Sequence, residues 1–142
     1  MMVSTKGRYA LRVMIDLAQN DCGKYISLTD IAKRQEISVK YLEAVIAVLN
    51  KSGLLHSKMG KNGGYRLAKS PDKYYIGDIL KLTEGGLAPV SCLECEENLC
   101  GRAAQCITLP MWQELYGLIS GYLDKLTLED LIRGNVKADR FA

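Results

Sequence analysis

The chain lacks several things, and each absence narrows what it can be. It has no run approaching the roughly 18 consecutive apolar residues of a membrane-spanning helix. Its opening, MMVSTKGRYALRVMIDLA, carries Lys6, Arg8, Arg12 and Asp16 through its apolar positions, unlike the uncharged core of a secretory signal. A cytoplasmic location with no membrane partner is therefore expected. No internal repeat or low-complexity tract occurs, so a repeat architecture is not indicated. No βαβ pattern surrounds the single C-x2-C, Cys92-Leu93-Glu94-Cys95, which argues against a thiol oxidoreductase. No other enzymatic equipment stands out, and an enzyme is not expected.

What is present is enough for one core. The chain has 142 residues, 48% of them hydrophobic, which suits one domain or one domain with an extension. The net charge of +3 is unevenly spread. Residues 1–69 hold 12 Lys and Arg against 5 Asp and Glu, whereas residues 70–142 hold 7 against 11. A basic first half suggests a polyanionic partner and the acidic second half a different task, with ordinary surface variation as the alternative.

Four of the five cysteines fall in CLECEENLCGRAAQC, residues 92–106. In a reducing cytoplasm such clustering points to metal binding or redox sensing before structural disulfides, and an odd number fits a fully paired framework poorly. The spacing C-x2-C-x4-C-x5-C suits tetrahedral zinc or an iron–sulfur cluster, and a metal-free redox switch is a third reading. It is neither the paired spacing of a zinc ribbon nor the bacterial ferredoxin run. Glu94, Glu96 and Glu97 should raise the pKa of neighbouring thiols. That speaks against a peroxide-reactive switch and for a cation that neutralises the loop. Cys22 stands apart near a turn and reads as a bystander.

Along the chain, the spacing of Ala10, Val13, Met14, Leu17 and Ala18 predicts a helix over 4–19. Ser27-Leu28-Thr29-Asp30 resembles a capping box opening a short helix to about Gln35. Ser38 is placed to cap a third helix, which Gly53 ends. Two strand-like runs, LLHSKM and GYRLAK, flank a turn containing Asn62-Gly63, a hairpin signal. Ile76 to Glu84 reads as a helix closed by Gly85-Gly86. After the cysteine segment, which has neither period, Pro110 sits where a long helix begins. Met111, Leu115, Leu118, Ile119, Tyr122, Leu123 and Leu126 give it an apolar stripe. Thr127 opens a last short helix, and a polar tail follows from Arg133.

Three short helices and a hairpin are the order of a winged helix-turn-helix. On the third helix Leu42, Val45, Ile46 and Leu49 must face the core. Lys40, Ala44, Ala47 and Lys51 face away, with Tyr41 and Glu43 at the flanks. Recognition helices present N-terminal side chains to base edges. There Lys40 can donate to guanine, Glu43 can accept from cytosine and Tyr41 can meet base or phosphate. A solvated helix face is the bland alternative. The hairpin weighs against it, because Lys58, Lys61 and Arg66 lie on a glycine-rich wing that can approach phosphates or a minor groove. His56, the only histidine, lies in a wing strand and reads as structural or DNA-proximal.

The motifs STKGRYAL, SLTDIAKRQEIS followed by YLE, LNKSGLL, GGYRLAKSP, IGDIL and TLEDL resemble the IscR-type family of bacterial winged-helix regulators across residues 1–132. That family includes IscR, NsrR and CymR. The resemblance implies a mainly α fold with a small β-hairpin wing. It implies a winged helix-turn-helix over residues 1–85, a cysteine-rich loop over 86–108, a dimerisation helix and closing helix over 109–133, and a tail over 134–142. It implies a homodimeric regulator, expected to be a repressor, on a near-palindromic double-stranded operator. Ser38, Lys40, Tyr41, Glu43, Lys58, Gly60, Lys61, Asn62 and Gly63 would meet DNA. Relatives often carry an arginine where this wing has Met59, so a different target sequence is expected. Cys92, Cys100 and Cys106 look like the three ligands of a 2Fe-2S or 4Fe-4S cluster. The positions of the fourth ligand in IscR and NsrR hold Leu109 and Arg8 here, which cannot ligate iron, and Cys95 is the replacement candidate. CymR, whose equivalent stretch lacks this cysteine set, supplies the alternative of a clusterless regulator of sulfur metabolism that answers to a protein partner or thiol oxidation. A structural zinc protein is the second alternative.

Overall fold

The computed structural model describes residues 2–137. Six helices and one two-stranded sheet occur among them, in the order α1 (Thr5–Gln19), α2 (Leu28–Gln35), α3 (Val39–Lys51), β1 (Leu55–Lys58), β2 (Gly64–Leu67), α4 (Ile76–Glu84), α5 (Leu109–Leu123) and α6 (Leu128–Ile132). The mainly α, winged helix-turn-helix architecture expected from the sequence is the one observed.

Local chemistry starts the helices where the sequence indicates. Ser4, Ser27 and Ser38 each accept a hydrogen bond from a backbone N–H in the first turn of α1, α2 and α3. Each satisfies one of the donors that a helix start leaves without a partner. Thr127 and Asp130 form a reciprocal capping box on α6. Glu36 takes a left-handed conformation, φ 54°, to turn the chain between α2 and α3.

The core is built by the inward faces of α1, α2, α3 and α4. Val13, Met14, Leu17, Ile31, Leu42, Val45, Ile46, Leu49 and Ile79 are buried in it together. Leu128 of α6 joins the same core and is fully buried. One charged group enters it. Asp16 is 1% exposed, and its carboxylate accepts from Arg34 Nε at 3.0 Å, Arg34 Nη2 at 2.7 Å and Gln35 Nε2 at 2.8 Å. A buried carboxylate is tolerated only when bonded in this way. Here the bonds lock α1 to the end of α2.

The wing is antiparallel, pairing Leu55 with Leu67 and Lys58 with Gly64. Ile26, before α2, adds a bridge to Tyr65, with N–H to O distances of 3.0 and 2.8 Å. Gly64 (φ 143°) makes that contact feasible, since a methyl group there would overlap the Ile26 carbonyl. At the base of the wing the buried Tyr74 hydroxyl donates to Leu54 O at 2.7 Å and accepts from Lys69 N–H at 2.9 Å. The wing is therefore braced on both sides.

α5 ends at Leu123, three residues before Leu126, the last member of the stripe that predicted it. The reason is that Leu126 O accepts from Ile76 N–H at 2.8 Å, and Lys81 holds Asp124 at 2.6 Å. Both draw the chain back onto α4. Of the expected polar tail, Asn135 is tied to Asp130 through backbone and side chain. Residues 138–142 lie outside the described residues. Among the described residues no helix is long and apolar enough to cross a membrane.

Candidate nucleic-acid interface and thiol loop

Two surfaces carry the residues singled out by sequence. The first is made by α3 and the wing. Ser38 spends its hydroxyl on Tyr41 N–H at 3.2 Å, so it fixes the start of α3. Lys40, Glu43, Ala44, Ala47 and Lys51 are exposed, and no ion pair among the described residues engages Lys40 or Glu43. Tyr41 is 39% exposed and meets the ring of Tyr9 edge to face, with centroids 5.3 Å apart. The outward face of α3 thus combines a donor, an acceptor, an aromatic and two small residues that permit close approach to a groove.

The wing tip is a tight turn in which Gly63 N–H donates to Gly60 O at 3.0 Å. Gly60 (φ 85°) and Asn62 (φ 60°) take left-handed conformations there. A methyl group on Gly63 would overlap the Lys58 and Gly60 carbonyls. Lys58 and Lys61 remain exposed beside it, and Met59 is 93% exposed. Lys58 Nζ and the Arg66 guanidinium lie 6.0 and 5.8 Å from the ring of Tyr25. Tyr25, Lys24 and Lys58 line a cleft between the wing and the chain leading into α2. The sequence reading missed Tyr9, Lys24 and Tyr25. STKGRYAL contained Tyr9, but nothing local showed that it would meet α3.

The second surface is the thiol loop between α4 and α5, whose path has two short 3-10 turns, Ser91–Leu93 and Ala103–Gln105. Cys92, Cys95 and Cys100 line one hollow of about 270 Å³, together with Ser91, Glu97 and Leu99. Cys106 lines a neighbouring hollow with Cys100 and Arg102. Cys100 therefore borders both. Among the described residues no three Cys, His, Asp or Glu groups are gathered closely enough to hold a metal ion. The donor chemistry, four thiols on one loop, fits a thiophilic metal or an iron–sulfur cluster. Convergence of the sulfurs requires the loop to close. Leu109 is the first residue of α5, and Arg8, on α1, donates to Thr5 Oγ1 at 3.1 Å. Cys22 and His56 are exposed and belong to neither hollow.

Cys106 lies apart from the glutamates in sequence and is acted on by other groups. Its Sγ lies 3.4 Å from Thr108 Oγ1 at the start of α5. The Thr108 hydroxyl, the backbone N–H groups of Thr108 and Leu109, and Arg102 together hold this thiol below its ordinary pKa. Local donors at the helix start prevail there.

α5 adjoins this loop. It is rich in apolar residues, yet none of its residues is buried. Met111, Leu115, Leu118 and Tyr122 are exposed at spacings of four, three and four, forming one face, and the exposed Ile107 precedes them.

A family profile described as "Rrf2: Iron-dependent Transcriptional regulator" matches residues 3–134. Protein rrf2 of Nitratidesulfovibrio vulgaris (strain Hildenborough) is 41% identical, covering 94% of this chain and 88% of its own length. The structure of CymR, the global cysteine regulator of B. subtilis, is similar with a TM-score of 0.77 and 37% identity, over 94% of this chain and 98% of that one. T. potens IscR is similar with a TM-score of 0.74 and 36% identity, over 100% of this chain and 93% of that one.

Proposed function

The chain belongs to the Rrf2 family of iron-dependent transcriptional regulators, and from that premise we propose that it is a cytoplasmic, homodimeric repressor whose grip on DNA is set by an iron–sulfur cluster in its thiol loop. As an IscR- and CymR-type regulator it is not an enzyme. The observation that carries the reading is the outward surface of α3, continuous in character with a braced, glycine-tipped basic wing. Lys40 and Glu43 supply a donor and an acceptor to base edges, and Tyr41 a base or phosphate contact. Ser38 fixes the start of the reading helix. Lys58 and Lys61 neutralise phosphates, and Gly60, Asn62 and Gly63 let the wing backbone come close.

Dimerisation through α5 is supported by its unburied apolar face, which symmetric pairing would cover. Two α3 helices would then address the half-sites of a near-palindrome, one or two turns of duplex apart. In this reading residues 1–85 form the reading head, 86–108 the sensing loop and 109–133 the pairing and closing helices.

Cys92, Cys100 and Cys106 would hold the cluster, with Cys95 as the fourth thiol. When bound, such a group supplies a tie between loop segments that is sensitive to iron supply, oxidant and nitric oxide. Within the chain itself, Cys106 lies two residues before the cap of α5. A change in loop path is thereby delivered to the pairing helix, a two-state coupling between sensing and DNA reading.

A second reading has its own support. Because the sulfurs are not gathered among the described residues, and CymR of B. subtilis is similar over nearly the whole chain, a clusterless regulator answering to thiol oxidation or a protein partner is the alternative. Selection of binding sites from random duplexes, followed by footprinting, tests the primary claim. Recovery of a two-half-site near-palindrome is expected, whereas no enriched sequence would sink it.

A further inference from the structure

Tyr41 stands in the first turn of α3, exposed, and its hydroxyl has no hydrogen-bond partner among the described residues. An aromatic side chain in that position has rotamer freedom to lose when it meets a base or a phosphate. The structure restrains it beforehand. The ring of Tyr9, on α1, meets it edge to face at 5.3 Å with an interplanar angle of 85°. The Arg12 guanidinium lies 5.2 Å from the Tyr9 centroid, one helical turn further along.

Arg12 is itself held. Its Nε donates to Gln35 Oε1 at 3.1 Å, and its Nη2 donates to the Gln35 backbone carbonyl. The Gln35 amide in turn donates to the buried carboxylate of Asp16 at 2.8 Å. A continuous set of contacts therefore runs from a core carboxylate, through the end of α2 and back across α1, to the exposed ring at the start of the reading helix. Each member is fixed by a directional bond or a ring contact, and all three helices contribute.

From this juxtaposition we infer that Tyr9 is a positioning residue for DNA recognition: held by Arg12 and Gln35, it presets the ring of Tyr41 for the duplex. The inference rests on the reading of α3 as the DNA-facing helix. It assigns a recognition role to residues that do not themselves face the groove. Preorganisation of this kind raises affinity where Tyr41 is used and does nothing where it is not.

The test is a double-mutant cycle on duplex binding, using the selected site and a random duplex with Tyr9→Leu, Tyr41→Ala and the double variant. Tyr9→Leu is expected to lower the ratio of selected-site to random-duplex affinity by about three- to tenfold, the range for loss of one aromatic pair. In the Tyr41→Ala background it should cost nothing further, and Tyr9→Phe should restore the ratio. Arg12→Gln leaves both rings and all three bonds of Asp16 in place, and it should lower the ratio in the same direction, which keeps the test available if Tyr9→Leu folds poorly. Fully additive losses, or equal losses on both duplexes, would overturn the inference and leave only helix packing. A wild-type chain that does not discriminate between the duplexes would instead remove the reading of α3 on which it depends.

Discussion

Leu118 offers the sharpest test of the proposed pairing through α5. It is 66% exposed in the isolated chain, at the centre of the face formed by Met111, Leu115, Leu118 and Tyr122. Complete burial of a leucine side chain is worth about 1.5–3 kcal/mol. Covering the two-thirds still exposed would return about 1–2 kcal/mol per copy, and symmetry doubles this to about 2–4 kcal/mol. Leu118→Ala keeps one methyl and forfeits the greater part, so the dimer dissociation constant should rise roughly tenfold or more. Sedimentation velocity over a dilution series measures this directly. Helix content by circular dichroism should not change, because the side chain packs little within its own chain. An unchanged dissociation constant, or a wild-type chain that is monomeric at micromolar concentration, would refute the reasoning.

Other consequences are open to measurement. Cys92→Ala, Cys100→Ala and Cys106→Ala should each abolish visible absorbance and bound iron in anaerobically prepared protein. Cys95→Ala should shorten the lifetime of that absorbance in air, and Cys22→Ala should change nothing. Lys61→Ala should weaken binding to all duplexes and reduce the salt slope by about 1, read from titrations at several salt concentrations. Glu43→Ala should relax sequence choice at one base position by about 1–3 kcal/mol in a competition assay; equal weakening on cognate and random duplexes would remove its base-reading role. The backbone N–H and hydroxyl of Thr127, with Asn135, hold the Asp130 carboxyl below its ordinary pKa. Because the folded value is the lower one, this stabilisation is present above the ordinary carboxylate range and is lost as pH falls through the lowered value. Urea unfolding should therefore separate wild type from Asp130→Asn at pH 7 and progressively less under acid conditions.

Much of the fold was legible because its signals are local. Ser27, Ser38 and Thr127 act on N–H groups within three residues, so the sequence marks the helix starts directly. The inward face of α3 follows from spacing alone. The end of α5 did not, because Leu126 is drawn to Ile76, fifty positions earlier. The bonds of Asp16 to Arg34 and Gln35, and the meeting of Tyr9 with Tyr41, likewise join residues far apart in sequence. An acidic residue on the apolar face of α1 was the available hint that a cationic partner would come from elsewhere. In the thiol loop, the groups that act on Cys106 were not legible from spacing. The glutamates adjoin Cys92 and Cys95, whereas Cys106 answers to Thr108, Leu109 and Arg102. A segment without helical or strand period follows a path set by a few turns, which composition does not encode.

In the proposed function the thiol loop governs DNA reading. The most direct measurement is the affinity of anaerobically prepared, iron-replete protein for the selected duplex, taken before and after its iron is removed by a chelator. Brown protein containing iron and acid-labile sulfide is expected, with a change in dissociation constant of tenfold or more on iron removal, about 1.4 kcal/mol of coupling. Colourless protein carrying zinc and no iron, or an affinity that does not respond to iron removal, would contradict it.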